Sequence, residues 1–140
     1  MFTIEHYLMF KGNCNQAIEL YKEAFGAKLL YKQTYGEAKN MVNFPIYPEM
    51  EELVMHSTIE IDGRTIMCGD SPDTNISGSN MNISVESDTT DKIQKAWDIL
   101  KQEAQNINME LNQTFFAKLH GSLKDKFGIN WTFTAEQIKH

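Results

Sequence analysis

The sequence predicts an α+β fold of two successive βαβββ modules, about residues 1–72 and 79–140, within one domain. Two observations predict it. Apolar residues recur at helical spacing in two places, 17/18/21/24/25 and 93/96/97/100/104, and each stretch follows one strand-like segment and precedes three more. The segment 80–86 alternates strictly between apolar Met81, Ile83, Val85 and polar Asn80, Asn82, Ser84, Glu86, the pattern of a half-buried strand that reopens the element order.

In the first module, Thr3 to Phe10 reads as a strand. Gly12-Asn13 then introduces a helix in which Asn13 caps and Gln16 reaches back as a capping box. Ala17, Ile18, Tyr21, Ala24 and Phe25 form its apolar face, and Gly26 supplies the left-handed residue that ends it. Lys28 to Tyr35 is the next strand. After a long Pro-containing connection, Leu53 to Ile61 and Thr65 to Asp70 form a hairpin about Asp62-Gly63, a dipeptide suited to positive φ.

A polar segment from Ser71-Pro72-Asp73 to Ser79 separates the modules. The second module reads as a strand at 80–86, a helix from about Thr90 to Ala104 capped by Asp88 or Thr89, and strands at Asn108 to Leu111, Phe116 to Leu123 and Ile129 to Thr134, with Phe127-Gly128 in the last turn.

Composition bounds the function. With 140 residues, 41% hydrophobic and 23% charged, the chain suits one packed domain. A formal net charge of −6 and a single arginine, Arg64, argue against a nucleic-acid partner or an anionic membrane surface, both of which need clustered cations. The N-terminus carries no basic-then-apolar leader and no stretch suits a bilayer span, so the expected location is the cytoplasm. Cys14 and Cys68, the only cysteines, have neither CxxC nor zinc-ribbon spacing and fit reduced thiols.

His6 and His56 carry the most chemistry, because a neutral imidazole serves as acid, base or metal ligand near neutral pH; these two are the catalytic candidates. His120 and His140 read as surface residues. The loop 36–52, with Phe44-Pro45-Ile46-Tyr47-Pro48, suits a lid, a dimer arm or a surface excursion.

The run from His6 to Tyr21, followed by Phe25-Gly26-Ala27, then Met55-His56, Met67-Cys68-Gly69-Asp70, Asn80, and the closing Asp125-Lys126-Phe127-Gly128-Ile129-Asn130-Trp131, together resemble the vicinal oxygen chelate superfamily (glyoxalase, bleomycin resistance, dioxygenase), in particular its PhnB-like branch. The resemblance implies paired βαβββ modules whose mixed sheets curve into a cup, usually completed in a homodimer. In glyoxalase-type relatives the cup holds a divalent metal (Zn, Mn, Fe or Ni), and the four ligand positions carry over to His6, Cys68, Asn80 and Thr132. Of these only His6 is a residue type that such sites use, the others standing where the family has His, Gln or Glu.

By period-two alternation His6 shares a face with Leu8, Cys68 with Ile66 and Asp70, Asn80 with Asn82 and Ser84, and Thr132 with Asn130. If these faces line the implied cup, the expected ligand-binding set is His6, His56, Cys68, Asn80, Asn82 and Thr132. The resulting expectation is a small-molecule-binding protein with a polar site and no secure metal. The alternative implied by the resemblance is a metal-dependent lyase, isomerase or dioxygenase acting on vicinal oxygens. No G-x-G nucleotide fingerprint accompanies either reading.

Overall fold

The structure of the chain, a computed structural model, describes residues 1–71, 78 and 80–137. The chain divides into two units, Met1–Ile76 and Ser77–His140, and each has the βαβββ order. Most of the connecting segment and His140 lie outside the described residues.

Unit 1 comprises β1 (Tyr7–Phe10), α1 (Cys14–Phe25), β2 (Lys28–Thr34), β3 (Val54–Ile61) and β4 (Arg64–Asp70). Its sheet runs β1-β4-β3-β2, with β1 parallel to β4 and the other pairs antiparallel. Helix α1 buries Ala17, Ile18, Tyr21 and Ala24 of the expected stripe together with Cys14, while Phe25 is half-buried. Opposite them Phe10, Ile59, Ile66 and Cys68 close the core. The strand expected from Thr3 begins only at Tyr7; residues 1–6 are exposed, and the ladder opens where Met67 N–H donates to the His6 carbonyl at 2.9 Å.

The capping box is absent. Asn13 stands at the N-cap without a side-chain bond to the helix, and the first amide of α1, that of Cys14, donates instead to Asp70 Oδ1 at 3.0 Å. A carboxylate gives a stronger, charge-assisted bond than an amide oxygen and complements the positive end of the helix, so the distant residue wins over the local one. Asp70 Oδ2 also accepts the Val54 amide at 2.9 Å, while the Asp70 carbonyl accepts Tyr35 Oη–H at 2.7 Å. One buried aspartate thus ties β4 to α1 and β3. Gly26 closes the helix at φ 68°, and the hairpin turns through Asp62 and Gly63 at φ 47° and 84°.

Unit 2 repeats the plan with β5 (Ile83–Ser87), α2 (Thr90–Leu100), β6 (Asn106–Asn112), β7 (Ala117–Lys124) and β8 (Asn130–Gln137), in sheet order β5-β8-β7-β6. Ile93, Ala96, Trp97 and Leu100 of α2 are buried, and Trp97 meets Phe133 edge to face at 5.7 Å. The strand expected from Asn80 starts at Ile83, where pairing with Trp131 begins, so Asn80 and Asn82 precede it. Thr89 is the N-cap of α2 but makes no capping bond; its own amide donates to Ser87 Oγ at 3.1 Å. The helix ends at Leu100 rather than Ala104 because Glu103 takes φ 58° and the chain joins the sheet where the Gln105 amide donates to the Lys124 carbonyl at 2.8 Å. No helix among the described residues is long and apolar enough to cross a membrane.

Candidate functional site

Strand register assigns each side chain to one of two sheet faces. In unit 1, Leu8, Cys68 and Ser57 form one cross-strand row, and Ile66 and Ile59 another, on the face covered by α1. Cys68 is therefore committed to the core. It is wholly buried, and its thiol lies in hydrogen-bonding contact with Cys14. That contact, together with burial, pushes the Cys14 thiol far above its ordinary range, so Cys14 is not poised as a thiolate. On this register Cys68 faces α1 and is a small buried residue of the core rather than part of an open polar face. His6, exposed and one residue before β1, contributes its carbonyl to the sheet.

The opposite face carries Tyr7, Met67, Thr58 and Tyr31 in one row and Gln33 paired with His56 in the next. Here side chains converge. Tyr7 Oη–H donates to the Met55 carbonyl at 3.2 Å and lies 3.2 Å from His56 Nδ1. A phenol has one proton; with that proton on the Met55 carbonyl the oxygen accepts, and the tautomer consistent with both contacts has His56 Nδ1 as the donor. Nε2 is then the unprotonated nitrogen of the neutral ring, with its lone pair available. Burial, followed by Tyr35 and the two cysteines, raises the Tyr7 phenol above its ordinary pKa, which keeps that proton in place. Tyr7 and Tyr31 flank the imidazole, with ring centroids 5.6 and 6.0 Å away.

Gly69 makes the arrangement possible. A Cβ there would stand 2.9 Å from Tyr7 Oη and 2.9 Å from the Met55 carbonyl oxygen, so only glycine lets the tyrosine cross β4 to the histidine. The sequence singles out His56 by its chemistry but not Tyr7, Tyr31 and Gly69, which the sheet register brings beside it. The discoverable signal was alternation: Tyr7 lies one residue from His6 and hence on the other face.

In unit 2 the face away from α2 carries Ser84, Thr132 and Ser122 in one row and Glu86, Thr134 and His120 in the next. Thr132 Oγ1 donates to Asn82 Oδ1 at 3.4 Å, bringing two expected site residues together. Asn80 is exposed. Asn130, largely buried, donates from Nδ2 to the Gly78 carbonyl at 3.2 Å. His120, expected on the surface, is part-buried, with Nδ1 3.0 Å from Thr134 Oγ1 and its ring 4.8 Å from that of Phe116.

The four carried-over metal positions do not fit a divalent ion. Cys68 is turned into the core, and Asn80 and Thr132 offer a neutral amide and a hydroxyl in place of imidazole or carboxylate. Among the described residues no three His, Cys, Asp or Glu side chains are grouped to hold a metal.

The family model described as Glyoxalase/Bleomycin resistance protein/Dioxygenase superfamily matches residues 3–133. Protein YjdN of Escherichia coli is 32% identical over 134 residues, covering 89% of each chain. A PhnB protein from Bacillus cereus is similar in structure, with TM-score 0.79 at 28% identity, covering 96% of this chain and 99% of that one. Protein PA1353 from Pseudomonas aeruginosa superposes with TM-score 0.81 at 23% identity, over 97% and 98% of the two chains, a likeness of fold.

Proposed function

The chain belongs to the glyoxalase/bleomycin resistance protein/dioxygenase superfamily, and from that premise we propose that it binds a small molecule on the helix-free face of the unit 1 sheet, at His56, without a tightly held metal. The observation that carries this reading is the chain of hydrogen bonds from His56 Nδ1 to Tyr7 Oη to the Met55 carbonyl. It favours the tautomer in which Nε2 is a hydrogen-bond acceptor between two tyrosine rings. An acceptor flanked by aromatic surface suits a planar ligand bearing an O–H donor, such as a phenol or an enol. The carried-over ligand set gives a metal-dependent lyase, isomerase or dioxygenase too few suitable donors, so no step is assigned to a metal.

The same Nε2 lone pair supports a second reading, in which His56 removes a proton next to a substrate carbonyl. Exchange of that proton for solvent deuterium, seen with the parent and absent in His56→Ala, distinguishes an enzyme from a binding protein. Exposed Leu30 on the edge strand β2 and Phe115 before β7 leave apolar area that supports a homodimer. Two buried cysteines without a disulfide fit the cytoplasm.

A screen of small phenols and enolisable carbonyl compounds, followed by ligand-detected NMR, tests the binding reading. The expected result is at least one saturable binder whose affinity falls about tenfold in His56→Ala, the order set by one lost hydrogen bond and its ring contacts. Binders that respond equally to parent and variant would contradict the site.

A further inference from the structure

The chain has two cysteines, far apart in sequence, and the fold of unit 1 brings them together. Cys68 lies within β4, with Leu8 of β1 on one side and Ser57 of β3 on the other. Its side chain faces α1, as does that of Asp70 two residues later. Asp70 Oδ1 accepts the Cys14 amide at 3.0 Å, so the carboxylate that serves the start of the helix also sets its first residue over this stretch of β4. The two thiols are in hydrogen-bonding contact, both are wholly buried, and neither is in a disulfide.

The two sulfurs are covered in different ways. β4 is an inner strand, and the Cys68 carbonyl accepts Ser57 Oγ–H at 2.7 Å; uncovering Cys68 from the sheet side requires strands to part. Cys14 is the first residue of α1, and Asn13 before it gives the helix no side-chain cap. The end of a helix opens at lower cost than an inner strand. Lifting the first turn of α1 breaks the Cys14–Asp70 bond and presents Cys14 to solvent ahead of Cys68.

We propose that Cys14 and Cys68 are a redox pair, oxidised by a low-molecular-weight disulfide to one internal disulfide that pins the start of α1 to β4. In the first exchange the Cys14 sulfur gives up its proton and attacks the small disulfide; that S–S bond breaks, a mixed disulfide forms on Cys14, and one small thiol leaves. As the turn closes, the Cys68 sulfur gives up its proton and attacks Cys14 Sγ; the mixed disulfide breaks and the second small thiol leaves. Two protein thiols lose two electrons and two protons, and the small disulfide takes up both to become two thiols. The reduced pair is the resting state, as for redox-sensing cysteines in a reducing compartment. The closed loop spans α1, β2 and β3 and restricts the unfolded chain. Cys68 adjoins Gly69, over which Tyr7 reaches His56, but the proposal is independent of any ligand at His56.

The test is incubation of the full chain with oxidised glutathione at neutral pH, without denaturant, for about a day, long against exchange at an accessible thiol. Remaining thiols are then alkylated in denaturant and the intact mass is measured. The expected product is a monomer lighter by two hydrogens, with no alkylation and no glutathione, which dithiothreitol returns to two alkylatable thiols. Its midpoint in urea should rise by about 1 M. A folded Cys68→Ser variant should accumulate a glutathione adduct on Cys14, and a folded Cys14→Ser variant should gain one at least tenfold more slowly. Two alkylatable thiols in the parent after that time overturn the proposal, as do glutathione adducts without an internal bond, a cross-linked chain of lowered midpoint, or equal adduct rates in the two variants.

Discussion

Asp125→Ala should cost about 4 kcal/mol of folding stability, enough to consume a large part of the margin of a chain of this size. The carboxylate is wholly buried. Its Oδ1 accepts the amides of Phe127 and Ile129 at 2.9 and 3.1 Å, and its Oδ2 accepts Trp131 Nε1–H at 2.8 Å. Alanine removes the acceptor from the buried indole N–H and from two part-buried amides, which is costlier than losing an exposed pair because desolvation is no longer fully compensated. Asp125→Asn keeps one oxygen for the two turn amides but sets an amide N–H₂ against the indole, so a cost near 2 kcal/mol is expected. Equilibrium unfolding in urea, comparing midpoint and slope for parent, alanine and asparagine variants, reads both values. A loss below about 1 kcal/mol for alanine would show that water replaces the carboxylate without penalty.

The closing run Asp125-Lys126-Phe127-Gly128-Ile129-Asn130-Trp131 is among the residues that carry the family resemblance, and its chemistry is structural. Asp125 organises the β7–β8 turn, Gly128 adopts φ 91° within it, and Trp131 is held beneath α2. Asp70 has the same character at the end of β4, serving the N-terminus of α1 rather than a ligand.

The second large effect is expected at Gly69. Alanine there would place its methyl 2.9 Å from the Met55 carbonyl and from Tyr7 Oη. The carbonyl belongs to the sheet and cannot swing aside, so the strands must part slightly; Tyr7 can move, but only by leaving His56. Overpacking of this kind costs about 2 kcal/mol, partly offset by the smaller entropy of the unfolded chain. The functional effect should exceed the energetic one: a folded Gly69→Ala variant should bind the His56 ligand at least tenfold more weakly, measured by calorimetry with any binder from the screen. Full affinity in that variant would mean that Tyr7 is not needed to position the imidazole.

Element type and order were legible because periodicity is a property of neighbouring residues. The stripes on α1 and α2 and the alternation of Ile83 and Val85 follow from burial of one face. Element ends were less so. Asp70 displaced the local cap at Asn13, and Glu103 turned the chain before Ala104. The site was legible only in part because facing depends on register, which no local pattern fixes. His56 could be singled out by its chemistry, but its partners Tyr7 and Gly69 become neighbours only through the parallel pairing of β1 with β4. The same pairing turned Cys68 toward α1. His120 looked like a surface residue because Thr134, fourteen positions away, supplies its bond.

The proposed site rests on His56 offering an unprotonated Nε2 while Nδ1 donates to Tyr7. A long-range ¹H–¹⁵N correlation spectrum of the imidazoles, recorded on the full chain above the titration range of histidine and assigned through His56→Gln, tests it directly. A protonated, pyrrole-type Nδ1 and a pyridine-type Nε2 are expected for His56, converting to a mixture of tautomers in Tyr7→Phe. A pyrrole-type Nε2 in the parent would contradict it, because the free nitrogen would then be a donor and the ligand chemistry read from it would be reversed.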